Sequence, residues 1–210
     1  MEANPWRDIR LDVYESHMSD RSVGQLGLLR TITAAQLHDQ PARRIGILGI
    51  AGGNGLDAID PAQIDELTGY DINPEYLDAC RARYGEAFGA RLHLRECSID
   101  RTLKIAPAGL LIANLIVEYV GVDEFAAFIA ANAAEIGILS CVTQQNGDAG
   151  IVSSTRHSAA FAGLSSVASE VAPDDLAAAL RAVGLSPTAR VEHPLPNGKI
   201  LTRQDFLPSA

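Results

Sequence analysis

The chain has 210 residues, 47% hydrophobic and 20% charged, which fits one globular α/β domain with embellishments. Its net charge is −9 and it has only two lysines, Lys104 and Lys199, so its surface repels phosphate backbones and nucleic acid is excluded as an expected partner. No apolar run approaches the roughly 20 residues of a membrane span, the first residues lack a basic-then-apolar signal pattern, and Cys80, Cys97 and Cys141 have no metal-site spacing, so the expectation is a cytoplasmic chain with free thiols, no metal and no membrane.

The segment before residue 40 reads as helical, with Ser19 or Ser22 as N-cap and Val23, Leu26, Leu29, Ile32 and Leu37 at roughly helical spacing until Pro41. The apolar run from Ile45 ends in Gly49-Ile50-Ala51-Gly52-Gly53-Asn54-Gly55, a buried strand entering a tight turn. A brief helical stretch follows and stops at Pro61. A second strand ends at Asp71. Asn73 caps a helix with Pro74 at its first position, running to about Tyr84 and closed by Gly85. Arg91–Cys97 is a third strand. The run from Gly109 to Val117 is a fourth, apolar on both faces, followed by a helix from Asp123 to Ile136 and a fifth strand from Ile138 to Thr143. The Ser-, Ala- and Gly-rich stretch 147–170 has no clear period and reads as an insertion over the C-terminal edge of the sheet. A helix starts at Pro173, with Asp174 and Asp175 at its positive end, and stops at Gly184. Ala189–Leu195 and Lys199–Arg203 flank Pro196-Asn197-Gly198, a hairpin signal.

Strands alternating with helices mean βαβ units and a parallel sheet, here with two final antiparallel strands. The glycine turn lets backbone press close to a ligand and turn its amides toward it. Asp71, at the end of the next strand, is placed to accept hydrogen bonds from ribose hydroxyls; the plain alternative is an acid that favours the N-terminus of the Pro74 helix. Together these features point to a nucleoside-containing cofactor.

This order resembles the class I S-adenosylmethionine-dependent methyltransferases: a Rossmann-like, doubly wound, seven-stranded, mostly parallel sheet with an antiparallel C-terminal hairpin. The resemblance covers roughly residues 43–207 and rests on the motif Leu48 to Gly55, on Asp71, on the strand count and on the hairpin. It implies S-adenosyl-L-methionine as cofactor, a methyltransferase domain over 41–210, and residues 1–40 as a helical lid. Two positions depart from the family. Gly49 stands where an acid that orients the cofactor's methionine end is usual, and Ala51 stands where a glycine is usual, a small change provided its φ is negative.

By the same resemblance Gly49, Ala51, Gly53, Asn54 and Gly55 cradle the cofactor, Asp71 and Ile72 take its ribose end, Ser98 and Ile99 (with Asp100 beside them) meet its adenine, and the backbone and side chain of Asn114 lie near its amino-acid end. Asn114 is followed by Leu115-Ile116-Val117-Glu118-Tyr119, not the Pro-Pro-aromatic pattern of adenine-methylating enzymes. Glu118 and Tyr119 are candidates to line the acceptor pocket or simply to begin the next helix. Tyr14, Glu15 and His17 cluster in the lid segment, where Tyr14 and His17 are candidate catalytic groups; His17 has an unperturbed pKa suited to a base, although a lone helical histidine is more often structural. His157 is a weaker candidate, Arg156 a candidate carboxylate clamp, and His93 a strand residue without a chemical task.

The expected function is methyl transfer to a small-molecule acceptor, with a homodimer left open. Two alternatives stand beside it. One is a non-catalytic cofactor-binding module, supported by Gly49. The other is a nicotinamide-dependent oxidoreductase, since Gly53 to Ala58 fits G-x-G-x-x-A, but neither lysine has a tyrosine four residues before it.

Overall fold

The computed structural model describes residues 4–147 and 150–209. Helices α1 (Leu11–Met18) and α2 (Gln25–Asp39) precede the sheet, whose strands are β1 (Arg44–Leu48), β2 (Glu66–Asp71), β3 (Leu92–Glu96), β4 (Ala108–Asn114), β5 (Ile136–Gln145), β6 (Leu185–Pro194) and β7 (Ile200–Pro208). Helix α3 (Pro74–Phe88) joins β2 to β3, α4 (Val117–Val120) and α5 (Val122–Ala131) join β4 to β5, and α6 (Pro173–Ala182) leads into β6. The order across the sheet is β3-β2-β1-β4-β5-β7-β6. The first five strands are parallel; β7 pairs antiparallel with both β5 and β6. The expected doubly wound sheet with its terminal hairpin is therefore what the chain forms.

Strand alternation builds two cores. In β4, Leu110 and Ile112 face one side with Ile45 and Ile47 of β1 and with Leu77, Cys80 and Phe88 of α3. Leu111 and Ala113 face the other, against Phe125, Phe128 and Ile129 of α5 and Leu176 and Leu180 of α6. A strand apolar on both faces needs both covered. Helix α2 belongs to the sheet's layers, with Ile32 and Gln36 fully buried, whereas residues 4–18 lie across the C-terminal edge.

Several boundaries differ from those expected. Helix α2 starts after Gly24, in the left-handed region (φ 64°), not at a serine cap, and α1 is a separate helix before it. The stretch before Pro61 is one 3₁₀ turn, Leu56–Ala58. Helix α3 runs through Gly85 to Phe88, and Gly89 (φ 55°) closes it. Strand β4 stops at Asn114 because Leu115 takes φ 56°. The helix expected over 123–136 is α5 with a 3₁₀ turn at Ala133–Glu135, and the short α4 precedes it. Strands β5, β6 and β7 are longer than expected: the buried polar Gln144 continues β5, the buried polar Gln204 and Asp205 continue β7, and β6 already begins at Leu185. Of the insertion 147–170, positions 148 and 149 lie outside the described residues; the rest includes a 3₁₀ segment, Ser158–Ser166. Among the described residues no helix is long and apolar enough to cross a membrane, no group of three metal-ligating side chains forms, and the three cysteines are free.

Candidate active site

In this strand order β1 and β4 are neighbours whose following connections run to opposite sides, and that switch point opens a crevice at the carboxyl ends of the strands. A cavity of about 280 Å³ lies there, near the low end of the range for small-molecule sites. The ends of β1 to β5 supply its floor. Its cover is the N-terminal segment with α1 and part of the insertion.

The glycine turn is fixed by backbone bonds. Gly49 and Ile50 donate to the carbonyl of Tyr70 at 2.8 and 3.2 Å, and Gly53 donates to that of Ile50. Gly49 has φ 66°, and a Cβ there would collide with Cδ1 of Ile116. The missing acid thus has a local reason: β1 ends in a left-handed conformation and Ile116 fills the space. Ala51 has φ 47°, so the condition under which it would be a small change is not met. Its N–H donates at 2.8 Å to Oδ2 of Asp71, and that hydrogen bond helps hold a conformation costing an L-residue roughly 1 kcal/mol or more.

Asp71 is buried in the cavity wall. Its Oδ1 accepts from the Asn73 amide at 2.9 Å. Burial pushes the carboxyl above the ordinary aspartate range, against the pull of these amides toward the charged form. The Asn73 side chain caps α3 by accepting from Glu75 N at 2.9 Å while its Nδ2 donates to the carbonyl of Trp6, also at 2.9 Å. The cover is thereby tied to the same turn that carries Asp71.

Gly49, Ala51, Asp71, Ile72, Ser98, Ile99 and Asn114 all line the cavity, as do Tyr14, His17, Glu118 and Tyr119. Gly53, Asn54 and Gly55 do not. A Cβ on Gly53 would meet the Tyr84 ring at 2.7 Å, and one on Gly55 would meet Thr33 at 3.0 Å; Asn54 Nδ2 donates to Leu26 O at 3.1 Å. These three shape the turn against α3 and α2. Asp100 is also away from the cavity, its Oδ1 accepting from Thr102. The Asn114 side chain is spent on its neighbours: it exchanges bonds with Gln36, and its Nδ2 also reaches Thr33 Oγ1 at 3.3 Å.

The cover is aromatic. Trp6 stands edge-on to Tyr119 (5.0 Å between centroids) and to Tyr14 (5.8 Å), and Tyr14 stacks on Tyr76. Burial raises both the Tyr14 and the Tyr119 hydroxyls far above the ordinary tyrosine pKa, so both act as neutral groups. His17 lies on Phe161 (4.4 Å) with Nδ1 hydrogen-bonded to Thr155 Oγ1 at 2.7 Å, and burial lowers its pKa. It fastens α1 to the insertion. His157 and Arg156 engage each other and Ser16 and line no part of the cavity.

Glu118 is the most unusual group. It is buried at the start of α4; Oε1 accepts from the Gln144 amide at 2.7 Å, while Oε2 has no partner among the described residues. Burial raises its carboxyl from 4.5 to about 7. The Tyr76 hydroxyl is a second buried, unpartnered atom on a side chain of this wall. Sequence reasoning missed Trp6, Tyr76, Gln144 and Phe161; Trp6 and Phe161 reach the cavity from segments with no strong periodicity, and only an isolated aromatic in a polar stretch could have flagged them.

No protein-family profile and no curated protein matches the sequence. Solved structures do match in fold. The magnesium protoporphyrin IX methyltransferase ChlM from Synechocystis, with bound SAH, aligns over 94% of each chain at TM-score 0.69 and 14% identity. The N-methyltransferase NodS from Bradyrhizobium japonicum, in complex with S-adenosyl-L-homocysteine (SAH), aligns over 99% of this chain and all of its own at 0.68 and 12%. The (4+2)-cyclase SpnF aligns over 87% of this chain and 81% of its own at 0.66 and 11%. At such identities the likeness establishes the fold: that of the class I methyltransferases.

Proposed function

We propose that the chain is an S-adenosylmethionine-dependent methyltransferase acting on a small-molecule acceptor. The observation that carries this is the buried Asp71 carboxylate at the end of β2, braced on the amide of Ala51 at the mouth of the switch-point cavity. ChlM and NodS, methyltransferases with SAH bound, share this architecture.

The residues present fit such a cofactor. Each Asp71 oxygen takes one backbone N–H and keeps a lone pair for a hydroxyl donor. Ile72 and Ile99 give apolar surface and Ser98 a polar rim for an adenine. Gly49, Ala51, Asn114 and Leu115 line the crevice where the amino-acid end would lie, with Gly53, Asn54 and Gly55 setting the turn's shape. The cofactor supplies, when bound, a methyl group activated by the positive charge of its sulfonium. The protein's share is alignment and exclusion of water: the aromatic cover of Trp6, Tyr14 and Tyr119 encloses the cavity. Of the four acceptor-side candidates, Glu118 has the free oxygen and suitable proton affinity to take a proton; Tyr14, Tyr119 and His17 act as neutral walls.

A second reading is a protein that keeps the cofactor pocket for another purpose. Gly49 in place of an acid favours it, and SpnF, described as a cyclase, has the same fold. Calorimetry with S-adenosylmethionine, SAH and NAD separates the readings. Binding of the first two with transfer of labelled methyl into a metabolite extract is expected; binding without transfer selects the second reading, and binding of NAD alone overturns both.

A further inference from the structure

We propose that the acceptor is an uncharged aromatic nitrogen compound, an azole or arylamine, whose N–H is received by the free carboxylate oxygen of Glu118. This rests on the methyltransferase reading and adds the chemistry of the acceptor.

Position comes first. Adjacent strands lie about 4.8 Å apart, so the ends of β1 and β5, separated by β4, stand roughly 10 Å apart. The nucleoside-side candidates, Asp71, Ile72, Ser98 and Ile99, are at the ends of β2 and β3. Glu118 is on the other side, held on the Gln144 amide of β5, with Ile116 packed over Gly49 in between. Glu118 lines the cavity beyond the place of a cofactor seated on β1 to β4.

Chemistry comes second. Glu118 Oε2 is buried and unpaired among the described residues, and a buried acceptor without a donor is costly. A ligand N–H or O–H removes that cost. Among the described residues no lysine or arginine lines the cavity, whose only carboxylates are Asp71 and Glu118. A carboxylate or phosphate on the acceptor would meet two acids and no cation, so anionic acceptors are disfavoured. The walls nearest the cover, Trp6, Tyr119 and Phe161, are flat rings suited to an aromatic ligand.

Nitrogen is favoured over oxygen by proton affinity. A carboxylate with a pKa of about 7 is too weak to ionise a phenol, whose ordinary value is near 10. A nitrogen nucleophile needs no prior ionisation. As the N–C bond to the methyl carbon forms, the S–C bond breaks and sulfur keeps the electron pair; an arylamine nitrogen becomes cationic and loses its own proton, whereas an azole attacks through its pyridine-type nitrogen and loses the proton of its other ring nitrogen, and in either case that proton passes to Glu118 Oε2.

The chain's single tryptophan, Trp6, lines this cavity and reports binding by its fluorescence. The probes are benzimidazole, 1-methylbenzimidazole (same ring, no N–H) and benzoate, titrated at pH 8 with and without SAH. Benzimidazole is expected to bind about tenfold more tightly than its methylated form, and benzoate not at all. Glu118→Gln, which keeps the bond to Gln144 but turns an NH₂ toward the ligand, is expected to abolish that difference while calorimetry finds SAH affinity within twofold of the parent. Equal binding of the two azoles, tight binding of benzoate, or discrimination that survives in Glu118→Gln overturns the proposal. So does a large loss of SAH affinity in that variant, which would give the carboxylate to the cofactor instead. Failure of the parent chain to bind SAH overturns the methyltransferase reading alone; the azole comparison without cofactor still decides the role of Glu118.

Discussion

The side-chain amides of Gln36 and Asn114 face each other and exchange two hydrogen bonds, of 2.9 and 3.0 Å. Gln36 also donates to Ser140 Oγ at 2.8 Å, and Ser140 in turn donates to Asp205. Helix α2 is thereby joined to the end of β4, at the switch point, and to β5 and β7. Gln36→Leu removes the donor that Asn114 Oδ1 and Ser140 Oγ share and leaves Asn114 Nδ2 only Thr33. The expected cost is about 2–4 kcal/mol, read as a lower urea midpoint with unchanged slope.

Asp71 has two duties, and two substitutions separate them. Asp71→Ala removes both the expected ribose acceptor and the partner of Ala51 N, so SAH binding should weaken by about 1–3 kcal/mol with a parallel loss of stability. Asp71→Asn keeps one acceptor oxygen for the turn and should lose less of each. Calorimetry and urea titration of both variants provide the check; an unchanged SAH dissociation constant in Asp71→Ala would mean the ribose binds elsewhere.

Glu118 makes stability depend on pH with a definite sign. Its folded pKa, about 7, exceeds its ordinary 4.5, so the folded chain holds a proton that the unfolded chain has released between these values. Stability contributed by this site therefore falls as pH rises from about 4.5 through 7, by on the order of 3 kcal/mol. Glu118→Gln removes the titration. Its unfolding free energy should be close to the parent's at pH 5 and exceed it by about 2–3 kcal/mol at pH 8.

Ala51 sits at φ 47°, where glycine carries no steric penalty. Ala51→Gly should stabilise the chain by up to about 1 kcal/mol and leave SAH affinity unchanged, since the Ala51 contacts described are made by its backbone. Differential scanning calorimetry would register a higher melting temperature.

The sheet was legible because its signals are local. The apolar run of β1, the two-faced β4, the Asn73-Pro74 helix start and the Asn-Gly hairpin each declare themselves within a few residues. Strand lengths were less so: Gln144, Gln204 and Asp205 look like loop residues until their partners on other strands are in view. Asp71, Ile72, Ser98 and Ile99 could be placed at the cavity because strand ends follow from the topology. Gly53 and Gly55 could not be told from ligand-facing glycines, since what excludes a side chain there is Tyr84 or Thr33, distant in sequence. The partners of Glu118, His17 and Asn114 were invisible for the same reason.

Ile116 lying over Gly49 bears on how this motif can change with time. Restoring an aspartate at position 49 by itself would set a branched side chain on a left-handed backbone and against an isoleucine already in place. The two sites are therefore bound to drift together. A mutant library randomised at 49 alone should return glycine, and an acid should emerge there only once residue 116 has been shortened.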